Sequence, residues 1–77
     1  MPLTADEIKE HQGARIRAAR KAAGHTATTF GAAIGVSSTT VFNWESGATS
    51  PPVTTQVAIA VLLGVRHSEL FGLDEVA

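Results

Sequence analysis

The sequence predicts an all-α chain, a compact bundle of about five helices. Helix start and stop residues follow one another along it: Thr4 with Glu7, then Gly24, Thr26, Gly35, Ser37, Gly47 and Gly64. Between them the apolar residues recur at helical spacing, and no pair of segments alternates as strands do. Finally, the 77 residues include no cysteine. A small fold without disulfide staples is most easily a helical bundle, helped where necessary by self-association.

Each element has its own signal. Thr4 and Glu7 make a T-x-x-E capping pattern, so the first helix starts near Ala5. It either runs unbroken to Ala23 or bends at Gly13. Ile16, Ala19 and Ala23 form its apolar stripe, Arg20 borders that stripe, and Gly24 ends the helix. Thr26 caps a second helix reaching about Ile34, where Gly35 reverses the chain. Ser37 caps a third through about Glu45, closed by Ser46 and Gly47. Ala48 to Pro52 is a loop, because neither Pro51 nor Pro52 suits a helix interior. A fourth helix spans about Val53 to Leu63 and stops at Gly64. Ser68 to Leu73 reads as a short fifth, and the tail from Asp74 is expected to fray. Residues 1–77 read as one domain, with a helical extension over 1–12 and no linker or repeat.

Composition removes several classes of function. Without cysteine there is no thiolate nucleophile or thiolate metal site. His11, His25 and His67 have no metal-ligand spacing, and no serine–histidine–acid or paired-carboxylate pattern stands out. No enzyme, cofactor or metal is expected, and no effector domain for a small molecule is evident. The apolar run from Val57 to Val65 is too short to span a membrane, and the N-terminus lacks a signal-peptide core. A soluble, cytoplasmic protein is the expectation. Net charge is −1, but it is unevenly spread. Arg15, Arg17, Arg20 and Lys21 cluster, while Asp6, Glu7, Glu10, Asp74 and Glu75 lie toward the two ends.

The most telling stretch runs from Thr26 to Gly47, TATTFGAAIGVSSTTVFNWESG. Two short helical patterns hinge on Gly35, with Phe30, Gly31 and Ile34 before it and Val36, Val41 and Trp44 after. That is helix-turn-helix spacing, in which the first helix buttresses a second offered to the DNA major groove. With GVSSTTVFNWESG followed by Pro51 and an apolar helix ending LLGV, the chain resembles the phage-repressor-like helix-turn-helix family, of Cro/C1 or xenobiotic-response-element type. The resemblance covers roughly Gly13 to Phe71.

It implies a lambda-repressor-like bundle of about five helices that binds double-stranded operator DNA, mostly as a dimer. It places Phe30, Ile34, Val36, Val41 and Trp44 in the core, Gly31 where the motif helices cross, and Gly35 at the turn. Arg20 and Glu45 match a common ion pair between the first helix and the end of the third. Ser38, Thr39 and Asn43 match positions that read base edges. Two departures weaken the DNA face. Ala27 stands where the family often has a DNA-contacting glutamine, and Ala48-Thr49-Ser50 replaces a loop frequently rich in Lys or Arg.

Chemistry sharpens these assignments. Ser37, Ser38, Thr39 and Thr40 can cap the third helix or reach base and phosphate, and the Thr39 methyl can touch thymine. Asn43, one turn beyond Thr39, has an amide suited to adenine; its bland reading is an exposed helix-end residue. Phe42 should point sideways or outwards, to meet thymine methyls, a partner surface or a neighbouring helix. Phosphate contacts are assigned to Thr26, Arg17, Lys21, Ser37, Thr40, Ser46 and Gly47, with a spare N–H from Arg20. Because no Lys or Arg occurs from Ala22 to Val65, the expected salt dependence is shallow, about two to four phosphates per subunit.

The fourth helix is apolar nearly all round. Val53, Gln56, Ile59, Ala60 and Leu63 make the face expected to pack on the motif. Val57, Ala58, Val61 and Leu62 make a second face, extended by Phe71, Leu73 and Val76. Either Leu3 and Ile8 of the N-terminal helix cover it or a second subunit does, and a homodimer is the favoured reading. The functional expectation is a small transcriptional regulator, a repressor by preference, acting as a dimer on an inverted repeat. The alternative is an antitoxin-like or anti-repressor-like interaction module of the same fold with weak or no DNA binding.

Overall fold

The computed structural model describes residues 3–72. Five helices follow in order: α1 Ala5–Ala22, α2 Ala27–Ile34, α3 Ser38–Ser46, α4 Val53–Leu63 and α5 His67–Phe71. Among the described residues there is no strand. The capping signals act where the sequence places them. Thr4 and Glu7 close a capping box on α1, and Thr26 and Thr29 close one on α2. The Ser37 hydroxyl accepts from the Thr40 N–H at 3.2 Å to start α3.

Gly35 sits at φ +81°, a left-handed conformation that costs a residue with a Cβ, and this single residue turns α2 into α3. Just before it, Gly31 meets the Val36 carbonyl so closely that an added Cβ would stand 2.6 Å from the oxygen. The tight turn and the close crossing together fix the helix-turn-helix geometry.

The core draws on every layer. Its four largest fully buried side chains are Ile16, Phe30, Val41 and Ile59, one each from α1 to α4. Trp44, Ala27, Leu70 and Phe71 complete the cluster, with Ile34, Val36, Leu62 and Leu63 packed at its edge. Helix α1 continues unbroken through Gly13. The glycine serves packing: a Cβ there would lie 2.5 Å from the Glu45 carbonyl oxygen and collide with that of Trp44 as well. It lets α1 lie directly on the last turn of α3.

Four expectations need correcting. Ala23 is exposed, because α1 ends one residue earlier and Ala23 is its cap. Val53 is 70% exposed, since Pro52 is the N-cap of α4 and its first turn projects past the core; Pro51 is buried instead. Helix α5 starts at His67, where Glu69 Oε2 accepts from the Arg66 N–H at 3.2 Å, and it ends at Phe71 with Gly72 as cap. Phe71 lies in the core, not on the outer side of α4, and its ring centroid is 5.0 Å from that of His67. Leu73, Asp74, Glu75 and Val76 lie outside the described residues.

Candidate nucleic-acid interface

Helix α3 has two unlike sides. Val41 and Trp44 face inward and are buried. Thr39, Phe42, Asn43 and Ser46 are exposed, and their three- and four-residue spacing puts them on one continuous face. Ser38 and Thr40 are half-buried on its flanks. The helix is held in place from behind by an ion pair. Arg20 Nε donates to Glu45 Oε2 at 2.6 Å and Arg20 Nη2 to Oε1 at 3.0 Å, while Nη1 donates to the His25 carbonyl at 2.9 Å. Both side chains are nearly inaccessible to water. The hydrogen bond to Glu45 raises the Arg20 guanidinium above arginine's ordinary value, against the opposing pull of burial. Arg20 thus joins α1, the α1–α2 turn and the end of α3 through one planar fork.

The basic cluster of α1 divides by task. Arg15 Nη1 donates to the Glu69 carbonyl at 3.2 Å and so braces α5. Arg20 is committed to Glu45 and His25. Arg17 and Lys21 remain exposed, one turn apart. Arg17 also lines a cleft of about 300 Å³ with Arg20, Phe42, Glu45 and Ser46. Phe42, one wall of this cleft, is 55% exposed. Leaving that much of a phenyl ring in water forgoes roughly 1 kcal/mol of burial, so the position is a costly one for packing alone.

The other phosphate candidates fall into two groups. Thr26 and Ser37 begin α2 and α3, and the first-turn N–H groups beyond each cap have no carbonyl to reach within the helix. Gly47 and Ser46 are different. The Gly47 N–H donates to the carbonyls of Asn43 and Trp44, the Ala48 N–H to that of Asn43 at 3.0 Å, and the Ser46 hydroxyl to the same carbonyl at 3.1 Å. Glu10 also packs on Gly47 closely enough that an added Cβ would lie 2.9 Å from its Cγ. The end of α3 is thus a closed cap beside a carboxylate. Ala27, at the family's glutamine position, is buried in the core cluster, so the small side chain packs there.

The turn at Gly35, the crossing at Gly31 and the outward face of α3 are the parts of a helix-turn-helix, and the helix-turn-helix family model matches residues 16–70. The chain belongs to the Cro/C1-type helix-turn-helix family. This is a family of DNA-binding regulators rather than of enzymes. No curated protein and no solved structure matches the chain. Among the described residues no helix is long and apolar enough to cross a membrane.

Two features of this domain were not visible from its pattern. One is the role of Arg15, whose partner is a backbone carbonyl on a distant helix. The other is a tie between α4 and α5: His67 Nε2 lies 2.8 Å from Gln56 Oε1, and Gln56 Nε2 donates to the Pro51 carbonyl at 3.0 Å. The Gly13 contact did leave a trace, because a glycine inside a helix costs about 0.5–1 kcal/mol and needs a packing reason.

Proposed function

We propose that this protein is a small cytoplasmic transcriptional regulator, by preference a repressor, that binds an inverted-repeat operator as a homodimer and acts by occupancy. The observation that carries the reading is the outward face of α3. Thr39, Phe42 and Asn43 stand side by side in solvent on a helix anchored from behind by Val41, Trp44 and the Arg20–Glu45 pair. Anchoring of that kind holds base-reading groups in a fixed register. Ser38 flanks the readers, Arg17 and Lys21 supply cations from α1, and Thr26, Ser37 and Thr40 lie at the helix starts where phosphate is favoured.

Dimerisation is supported by α4. Val53, Val57 and Val61 recur every fourth residue on its outer side and are 70%, 51% and 77% exposed. Leu62 beside them is half-buried against the core. Leu3 and Ile8 are half-buried and do not cover these valines. A second copy laid on this stripe would remove it from water. Pairing also compensates for a face with few cations, because two weak half-site contacts combine.

The test is retention of duplexes from a randomised pool at two salt concentrations. Enrichment of an inverted repeat with half-sites about 10 base pairs apart supports both the DNA and the dimer reading. Retention without a motif leaves backbone attraction alone. No retention at low salt overturns the regulator, and the exposed Phe42 and valines then favour a protein-interaction module.

A further inference from the structure

The outward face of α3 is unusual in what it omits. It carries a methyl-bearing hydroxyl (Thr39), a phenyl ring (Phe42), a primary amide (Asn43) and a hydroxyl (Ser46) already donated to the Asn43 carbonyl. It has no arginine or lysine, the side chains that grip guanine O6 and N7. Nor does it offer a carboxylate to accept from cytosine N4: Glu45, the one acid of the helix, is buried and clamped by Arg20. What remains complements an A·T pair. An amide can bond adenine N6 and N7 together, and apolar surface suits the thymine 5-methyl.

Resting on the DNA-binding reading above, we infer that α3 reads A·T pairs and that the Phe42 ring is its thymine reader, packed on the 5-methyl group. The ring is 55% exposed yet placed, because it forms one wall of the cleft shared with Arg17 and the Arg20–Glu45 pair. Asn43, its neighbour on the same face, takes the adenine edge, and the exposed Arg17 beside the ring takes phosphate. Sequence selectivity therefore comes from one amide and one apolar contact, without a guanine-reading cation.

The experiment replaces each thymine of the selected duplex by uracil, which removes the 5-methyl and leaves every hydrogen-bonding edge intact. The full chain and its Phe42→Ala and Phe42→Leu variants are titrated against each duplex, with thermal unfolding confirming that the variants remain folded. At one or two positions in each half-site, uracil should weaken the unaltered protein about fourfold, the worth of one buried methyl at ~0.8 kcal/mol converted at 1.4 kcal/mol per tenfold. Phe42→Ala should bind more weakly and lose nothing further on uracil, while Phe42→Leu keeps part of the sensitivity. Uracil duplexes that all bind unchanged overturn the thymine reader but leave DNA binding standing. So does a loss that persists in Phe42→Ala, which would assign the methyl contact elsewhere. A pool that yields no motif removes both readings together.

Discussion

Helices α3 and α4 have nine and eleven residues and each gives one side to the same core, yet they leave opposite chemistry in water. The outward side of α3 is polar and uncharged around a single ring: Thr39, Phe42, Asn43 and Ser46. The outward side of α4 is a row of valines, Val53, Val57 and Val61. Hydrogen-bonding groups held in fixed places suit a partner with a coded edge, such as the major groove. Aliphatic side chains carry no such code and suit a surface that excludes water. The contrast suits the proposed division of recognition between two helices, one for sequence and one for self-association. The sites are held apart by the core they share.

The supports of α3 should show the largest effects. Arg20→Met strands Glu45 beneath the helix and should cost about 3–5 kcal/mol in chemical denaturation. The double variant Arg20→Met with Glu45→Met should recover much of that loss, since neither charge is then left buried alone. Because Arg20 titrates above arginine's ordinary range, the pair's contribution from this group is complete below that range. It is lost only as pH climbs through the raised value, so no change from Arg20 should appear between pH 5 and pH 9 in thermal melts.

Next in size is the reading face itself. Thr39→Ala with Asn43→Ala should weaken specific binding by about a hundredfold while leaving the melting temperature unchanged, because both residues are exposed. Gly13→Ala should cost about 1–3 kcal/mol by pushing α1 off the carbonyls of Trp44 and Glu45. Its effect on DNA binding should follow stability alone, which separates the scaffold from the face.

The α4 side is tested by Val61→Glu. At 77% exposure this change should leave the monomer fold intact and shift sedimentation toward the monomer. An unaltered assembly state would remove the valines from the interface. The smallest effect concerns salt. With Arg17 and Lys21 as the exposed cations of the face, log K should fall against log salt with a slope of only about −2 per subunit. A much steeper slope would place cations outside this face in contact with phosphate.

Most of the fold was legible because its boundaries are written in short-range chemistry. Thr4, Thr26 and Ser37 cap the helices they precede, and Gly35, Gly47 and Gly64 end them within a residue of expectation. The Arg20–Glu45 pair was legible only through the family resemblance, since 25 positions separate its partners. Val53 and Phe71 were misplaced because each depends on how its helix is set against the rest of the bundle. Helical spacing gives the side of a helix but not how far its end projects beyond the core, and Val53 lies past that edge. Phe71 is buried because the short α5 packs against both α1 and α4, a placement that helical spacing within α5 does not give. Ala27 shows a third limit, because a small buried residue and a lost DNA contact look the same in sequence. The direction of Phe42 was open in the sequence, and the fold places it along a cleft shared with Arg17 and Arg20 of α1.

On the proposed function, the outward face of α3 meets DNA and the valine row of α4 meets a second copy. The most direct measurement is a two-dimensional amide NMR titration of the 15N-labelled chain with its selected duplex. The largest shifts are expected at Thr39, Phe42 and Asn43, with smaller ones at Thr26 and Arg17, while Val57 and Val61 respond to protein concentration before any duplex is added. Shifts centred on α4 as duplex is added, with Thr39 and Asn43 unmoved, would contradict that function.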